Sequence, residues 1–488
     1  MMPVAQRLRQ KLLDLAIHGK LVPQCAKDEP AGELLTRIRT ARSAAGRTRT
    51  PTALHPIPEE EVPFDLPSGW AWCRLGEIFK FIDYRGKTPN KISKGIRLIT
   101  ARNVRMGYVD YSIKDFISRE EFAERQSRGI AHRGDILFTT EAPLGFVAIA
   151  DCDEFSTGQR LITFQQYNGT EEFLNQLIAY FLQSPAWQKL LYEKKTGTTV
   201  AGIKAEYLRQ IVVPMPPLAE QKRIVEKLDG MLNEATRVAE GTERLAQLRK
   251  KARAKILDLA IRGKLVQQEK SDEPATELLK RIAAEKAKLV AEKKIRKEKP
   301  LPPIAEGEMP FDLPKGWAWC RFRELGVLTG GHTPSMRNPK FWGGDVLWVT
   351  SKDMKRKFID DTGAKITKLG AEELTMLKPG AVLMCTRSGI LRRTFPVAIA
   401  TKELTINQDQ RALTPFVVEM SEYVYMVLCA FEPMILADYR KTGTTVESII
   451  WEKFIDMPIP LPPLAEQRRV VAKVKEMLAA CDALGGEG

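Results

Sequence analysis

The most regular hydrophobic pattern lies at the centre of the chain. Ile224, Leu228, Met231, Ala235, Val238, Thr242, Leu245, Arg249, Ala252, Ile256 and Leu259 follow a 4,3,4,3 spacing, and only Thr242 and Arg249 are not apolar. That is a heptad seam. Pro216 and Pro217 sit where a helix would begin and Gly263 where it would end. The pattern predicts one helix of about 43 residues, roughly 65 Å long. A helix that long with a single apolar stripe needs a partner, and the partner is cut in two. Val470, Val474, Met477, Cys481 and Leu484 repeat the first half of the seam, and Leu8, Leu12 and Leu15 repeat the second. In an antiparallel frame, Leu8, Leu12 and Leu15 should pack near Ile224 to Ala235, and Val470 to Leu484 near Leu245 to Leu259.

Around this frame the chain contains itself twice. Lys11-Leu-Leu-Asp-Leu-Ala-Ile-His-Gly-Lys-Leu-Val22 returns as Lys255-Ile-Leu-Asp-Leu-Ala-Ile-Arg-Gly-Lys-Leu-Val266. Leu66-Pro-Ser-Gly-Trp-Ala-Trp-Cys-Arg74 returns as Leu313-Pro-Lys-Gly-Trp-Ala-Trp-Cys-Arg321. Lys195-Thr-Gly-Thr-Thr-Val200 returns as Lys441 to Val446, and Pro216-Pro-Leu-Ala-Glu-Gln221 as Pro462 to Gln467. A period so much longer than a solenoid repeat implies one globular domain per copy. Because the C-terminal and N-terminal segments together rebuild a second long helix, the duplication is circular.

Each insert carries short β-rich runs (Asp135 to Thr140; Ala381 to Thr386) and a helical run from Phe173 to Leu191. Alternation puts Trp70 and Trp72 on one strand face, and Trp317 and Trp319 likewise, and these read as core. A further helical block, Asp28 to Leu35 and again Asp272 to Leu279, precedes proline-rich linkers at Pro51 to Pro63 and Pro300 to Pro310. The basic stretch Lys286 to Lys299 suits DNA phosphates, an acidic partner or a solvated helix face equally. Between repeated blocks the residues diverge: Arg102-Asn-Val-Arg-Met-Gly-Tyr108 stands where the second copy has Lys352-Asp-Met-Lys-Arg-Lys-Phe358. A repeated frame with unlike inserts suits a protein that reads two different short sequences on one duplex.

Charge sharpens this picture. The net charge of +15, with a pI of about 9.4, favours a polyanionic partner. No long apolar run predicts a membrane span, and Met1 to Arg9 lacks the apolar core of a signal peptide. Seven cysteines without Cys-x-x-Cys spacing point to a reducing compartment. His18, His55, His132 and His332 lack metal-ligand spacing, so no metal site is expected.

A catalytic motif is not found. An adenine methyltransferase needs an Asn/Asp-Pro-Pro-aromatic loop for the flipped base. The Pro-Pro pairs here stand in Met215-Pro-Pro-Leu218, Leu301-Pro-Pro-Ile304 and Leu461-Pro-Pro-Leu464. Gly86-Lys-Thr88 imitates the end of a phosphate loop, but Phe81 occupies the position that requires glycine.

At Tyr84-Arg-Gly-Lys-Thr-Pro89, Thr329-Gly-Gly-His-Thr-Pro-Ser335 with Trp342-Gly-Gly344, and the duplicated Pro-Pro-Leu-Ala-Glu-Gln and Asp-Leu-Ala-Ile-x-Gly-Lys-Leu-Val blocks, the chain resembles the specificity (S) subunit of type I restriction–modification enzymes. The resemblance spans essentially the whole length. It departs in one place, where His332 interrupts the plainer Gly-Gly-Thr. The resemblance implies a mixed α/β (α+β) architecture: two target-recognition domains separated by an antiparallel coiled coil of long helices, pseudo-twofold and circularly arranged. The expected divisions are an N-terminal helix (1–20), a helical block and linker (21–62), a first recognition domain (63–215), a central helix (216–266), a basic helical block and linker (267–309), a second recognition domain (310–461) and a C-terminal helix (462–488).

The resemblance further implies that each domain reads half of a bipartite site on double-stranded DNA, in the prokaryotic cytoplasm, without catalysis by this chain. Methylation would belong to two modification (methyltransferase) subunits using S-adenosylmethionine, and cleavage to restriction (translocase/endonuclease) subunits using ATP and Mg. No cofactor is expected on this chain. Candidate DNA contacts in the first domain are Tyr84, Arg85, Lys87, Thr88, Arg102, Asn103, Arg105 and Arg160. In the second they are His332, Thr333, Ser335, Lys352, Arg387, Ser388, Arg392, Arg393 and Arg411. Two other readings remain open: a specificity subunit of a type II-like system, and a coiled-coil adaptor that binds only proteins.

Overall fold

The computed structural model describes residues 4–44, 54–84, 88–126, 129–167, 173–193, 195, 202–297, 301–442 and 446–484. The chain divides into two units, Met1–Thr242 and Glu243–Gly488, and the boundary falls inside one continuous helix, Leu218–Ile261. This is the heptad helix, 44 residues long. Its end is set by Gly263, whose φ of +64° is left-handed. The amide of Lys264 reaches back to the Leu259 carbonyl at 2.9 Å, closing a Schellman-type turn. A side chain at Gly263 would also sit 2.4 Å from Pro314, so only glycine fits. Gly19, after the N-terminal helix Val4–Ile17, repeats both features.

In the first unit the N-terminal helix lies antiparallel to the start of the long helix. Arg223, near that start, pairs with Asp28 at 2.5 Å, while Arg9, near the other end of the short helix, shares a cavity with Asp229 and Thr236. Leu12, Leu13, Ala16 and Ile17 share a core with Ile224, Val225 and Leu228. In the second unit the C-terminal helix Leu464–Ala483 lies antiparallel to the end of the long helix. Gln268 bonds Glu466 at 3.2 Å, and Asp482 pairs with Arg253 at 2.8 Å. Val470 and Val474 share a core with Ile256 and Ala260. Burying each large apolar side chain contributes about 1.5–3 kcal/mol. An exposed ion pair contributes under about 1 kcal/mol, so the apolar stripe holds each pairing.

The seam is not continuous. Leu8 and Leu484 are exposed, as are Val238 (60%) and Leu245 (38%). The two packing helices have 14 and 20 residues and cover only the two ends of a 44-residue helix. The helical run expected from Phe173 to Leu191 is two helices, Leu174–Leu182 and Pro185–Glu193. Pro185 lacks the amide that would continue the first helix but suits the first turn of a second. Among the described residues no single helix is long and apolar enough to cross a membrane.

The sheets are built alike in the two units. The first has an antiparallel sheet in the order Phe79–Asp83, Leu161–Gln166, Ile136–Thr140, Leu144–Ile149. Beside it, Ile96–Ile99 pairs parallel with Phe155–Thr157 and antiparallel with Phe116–Ile117. The second has the order Gly326–Gly330, Gln410–Pro415, Val382–Cys385, Val397–Ala400, with Phe358–Ile359 added in parallel at the edge. There, Trp342–Val349 pairs parallel with Leu404–Ile406 and antiparallel with Ala364–Ile366.

Each Trp-Ala-Trp-Cys-Arg block is half of a two-stranded ribbon, Ala71–Arg74 with Val212–Met215 and Ala318–Arg321 with Pro458–Leu461. Trp70 and Trp317 are buried as expected, but Trp72 and Trp319 are only half-buried, against Phe64 and Phe311. The indole nitrogen of Trp70 donates to Glu220 at 3.0 Å, and Gln24 donates to the same carboxylate at 3.2 Å. Trp317, Glu466 and Gln268 repeat the arrangement at the same distances. The ribbon arginines are buried as well. Arg74 bonds Glu61 (2.9 Å) and the carbonyls of His55 and Pro56, and Arg321 bonds Glu308 (2.8 Å) and the carbonyls of Pro303 and Asp456. They pin each proline-rich linker to its sheet.

Two outcomes are expected. Replacing Trp317 by Phe leaves a buried carboxylate oxygen short of a donor, at a cost of about 1–3 kcal/mol. Combined with Glu466→Ala, urea unfolding of the full chain should show a coupling of about 0.5–3 kcal/mol, and additive effects would mean the bond contributes nothing. The Arg321 guanidinium holds Glu308 down at about 2, from an ordinary 4.5. A carboxyl depressed on folding stabilises above its unfolded value and loses that contribution as pH falls through its folded one. The stability gap between the wild type and Glu308→Gln should therefore close between pH 4.5 and about 2.

Candidate nucleic-acid interface

Strand direction brings four loops of the second unit to one edge. Gly330 is in register with Arg411, and Cys385 with Gln410, so the ends of two strands meet the start of a third. The parallel pair ends there too, with Val349 opposite Ile406. Loops 331–335, 350–353, 386–388 and 407–409 emerge together. Backbone bonds fix them: His332 donates to Ile406 (2.9 Å), Asn407 to Val349 (3.0 Å), Thr386 to Asp409 (2.9 Å) and Ser388 to Glu447 (3.0 Å). Gly331 has no alternative, because a Cβ would lie 1.8 Å from the Asn407 carbonyl oxygen.

Of the sequence candidates, this edge gathers His332, Thr333, Ser335, Lys352, Arg387, Ser388 and Arg411. His332, Ser335, Lys352 and Arg387 are exposed. The interrupting histidine is thus accommodated by its backbone, whose carbonyl also accepts from the Trp348 indole at 3.2 Å. The Thr333 hydroxyl donates to the side-chain oxygen of Gln408. The Ser388 hydroxyl instead caps the 3-10 turn Gly389–Arg392. Arg411 is stacked on Trp451 at 4.5 Å, and desolvation there lowers its pKa, so its guanidinium already has a packing role. Arg392 pairs with the buried Glu447 at 3.2 Å, and Arg393 is exposed just beyond the same turn.

The first unit repeats the edge with residues 84 and 88–89 and with loops 100–103, 141–143 and 158–160. Asp83 is in register with Ile162, Ile99 with Thr157, and the Thr140 amide donates to the Arg160 carbonyl at 2.9 Å. Thr88 and Arg160 stand here, and Thr88 accepts a hydrogen bond from Gln159. Arg160 has a left-handed φ of +66° and pairs with Glu141 at 3.2 Å. Arg85 and Lys87 lie outside the described residues. Arg102 is exposed and pairs with Asp115 (3.2 Å), and Arg105 is half-buried against Asp110 (3.3 Å). Lys91 first, then Arg102, holds the Asp115 carboxyl below its ordinary range.

Two candidates are turned inward and correct the sequence reading. The Tyr84 hydroxyl donates to the Gly129 carbonyl at 2.6 Å, and its ring lies under Arg125. Asn103 is fully buried, accepting from Thr100 and donating to the carbonyls of Asp110 and Ile113. Both hold loops in shape, and the Asn103 amide has all of its polar atoms engaged there. The sequence reading, which chose polar or basic residues in glycine-punctuated loops, passed over Glu141, Gln159, Gln408, Asp409 and Glu447. The available signal was an amide or carboxylate next to a strand end, since acceptors read base amino groups as cations read guanine.

Two cavities lie away from this edge. One of about 440 Å³ is lined by Arg9, Tyr180 and Asp229, and another of about 560 Å³ by Leu279, Ile282 and Lys286. Neither includes a residue of the eight loops. Among the described residues no group of three or more His, Cys, Asp or Glu is arranged to hold a metal.

Residues 67–246 match the family model of the type I restriction modification DNA specificity domain. The chain is 28% identical to the type I restriction enzyme EcoEI specificity subunit of Escherichia coli and 29% identical to the EcoAI specificity subunit of the same organism. Each alignment covers 98% of this chain and 90% of the relative. A solved chain from work on complex assembly and conformational transition of the type I R-M system superposes with a TM-score of 0.53. It is 23% identical, covering 87% of this chain and 93% of that one, which speaks for the fold.

The inward role of Asn103 is testable. Asn103→Ala should cost about 1–3 kcal/mol of local stability, read as lost hydrogen-exchange protection confined to residues 100–113. Unchanged protection there would show that the side chain does not hold the loop.

Proposed function

This chain belongs to the type I restriction–modification specificity-subunit family, and from that premise we propose that each of its units reads one half of a bipartite DNA site. The observation that carries the proposal is the repeated loop edge. The same strands present four loops in each unit, with the Thr–Gln bond and the Thr100–Asn103 and Thr350–Asp353 bonds in common and unlike side chains at positions such as Glu141 and Arg387. Sequence is read by side chains at base edges, and a scaffold that repeats while its loops differ suits two unlike half-sites. The excess of 76 Lys and Arg over 61 Asp and Glu supplies the phosphate attraction common to any duplex. The helix that belongs to both units sets the number of unread base pairs.

The chain itself is non-catalytic. Two modification subunits with S-adenosylmethionine carry out methylation, and restriction subunits with ATP and Mg carry out cleavage, in the prokaryotic cytoplasm. Phe81 at the phosphate-loop glycine position and the lack of an Asn/Asp-Pro-Pro-aromatic loop support this division.

Replacing residues 66–213 by the corresponding domain of a relative should change one half of the methylated motif and leave the other intact. A change in both halves together would contradict two independent readers. Arg102→Gln with Arg105→Gln gives a second readout. If both contact phosphate, all sequences weaken alike and the salt slope falls by about one per charge. Weakening confined to one half-site would make them base readers.

A further inference from the structure

At the loop edge, two positions are equivalent by backbone bonding and opposite in charge. The Thr140 amide donates to the Arg160 carbonyl at 2.9 Å, and the Thr386 amide donates to the Asp409 carbonyl at 2.9 Å. The next residues, Glu141 and Arg387, form isolated bridges to Gly202 and Ser448. Gln159 and Gln408, just before Arg160 and Asp409, each bond the loop threonine, Thr88 or Thr333. Position 141 therefore corresponds to 387, and 160 to 409. The first unit places an acid and then a base at these positions, and the second a base and then an acid.

The two pairs also differ in state. Glu141 and Arg160 are ion-paired at 3.2 Å with side chains 40% and 53% exposed. Arg387 is exposed, makes no ion pair within 4.0 Å among the described residues, and is fixed through its backbone to Asp409 at 3.1 Å. An arginine that is anchored by its main chain but free at its guanidinium, on an edge built from four strand ends, can present its planar fork to a partner.

We propose that these positions are specificity determinants, resting on the half-site reading above. Arg387 reads a guanine through O6 and N7, and Glu141 accepts from the exocyclic amino group of a base in the other half-site, with Arg160 holding its carboxylate in place. The physical basis is that a guanidinium matches the two guanine acceptors, whereas a carboxylate can only accept. The inverted order gives the two units opposite preferences from one scaffold.

The test uses the full chain assembled with its modification subunits, selecting methylated sites from randomised duplexes by sequencing. Arg387→Gln and Arg387→Lys should each relax preference at one guanine of one half-site, by about ten- to a hundredfold for the glutamine variant. Lysine should rescue binding to DNA in general but not the preference, because an ammonium lacks the bidentate fork. Glu141→Gln should alter one position of the other half-site only. Equal weakening on all sequences with a smaller salt slope would make Arg387 a phosphate contact and overturn the inference, as would unchanged preference in correctly folded variants. A wild-type complex with no sequence preference would instead overturn the half-site reading itself, and this inference with it.

Discussion

A buried carboxylate held by an indole is the constraint on which each unit depends. Glu220 and Glu466 are each only 1% exposed. A carboxylate in such a place is costly unless donors surround it. The donors come from two other parts of the chain: Trp70 or Trp317 from the ribbon, and Gln24 or Gln268 from the segment after Gly-Lys-Leu-Val. The three repeated motifs, spread over about two hundred positions, are thus brought to one point in each unit. Burial pushes the Glu466 carboxyl up, and the bonds from Gln268 and Trp317 work against that shift. The node also orients the helix, because Glu220 and Glu466 lie in the first turn of the helices beginning at Leu218 and Leu464.

From that node the site follows. The ribbon delivers the chain into the sheet, the arginine of the same motif pins the linker, and the strand ends are carried to one edge. Backbone bonds and a few inward side chains, such as Asn103, position the loops there, so the outward side chains can change without disturbing the frame. Glu141 against Arg387 and Arg160 against Asp409 are such changes.

Much of the frame was legible in the sequence because it is governed by period and by glycine. The 4,3,4,3 spacing located the long helix, and Gly263 its end. Pro185 was a visible break in the run from Phe173 to Leu191. The loop edge was less legible. Tyr84 and Asn103 look like contacts because they are polar and near glycines, yet their partners, Gly129, Asp110 and Ile113, are set by the way the chain returns on itself. Arg74 and Arg321 carry the opposite lesson: a charged residue beside a tryptophan strand is buried here because the four or five acceptors around its guanidinium can be arranged only by tertiary structure.

The most direct measurement is the methylome of a cell carrying this chain with its modification subunits, compared with the same cell lacking the chain. Two short specified sequences separated by a fixed run of unspecified bases, methylated only when the chain is present, are the predicted result. A single contiguous motif, or methylation that persists without the chain, would contradict the account.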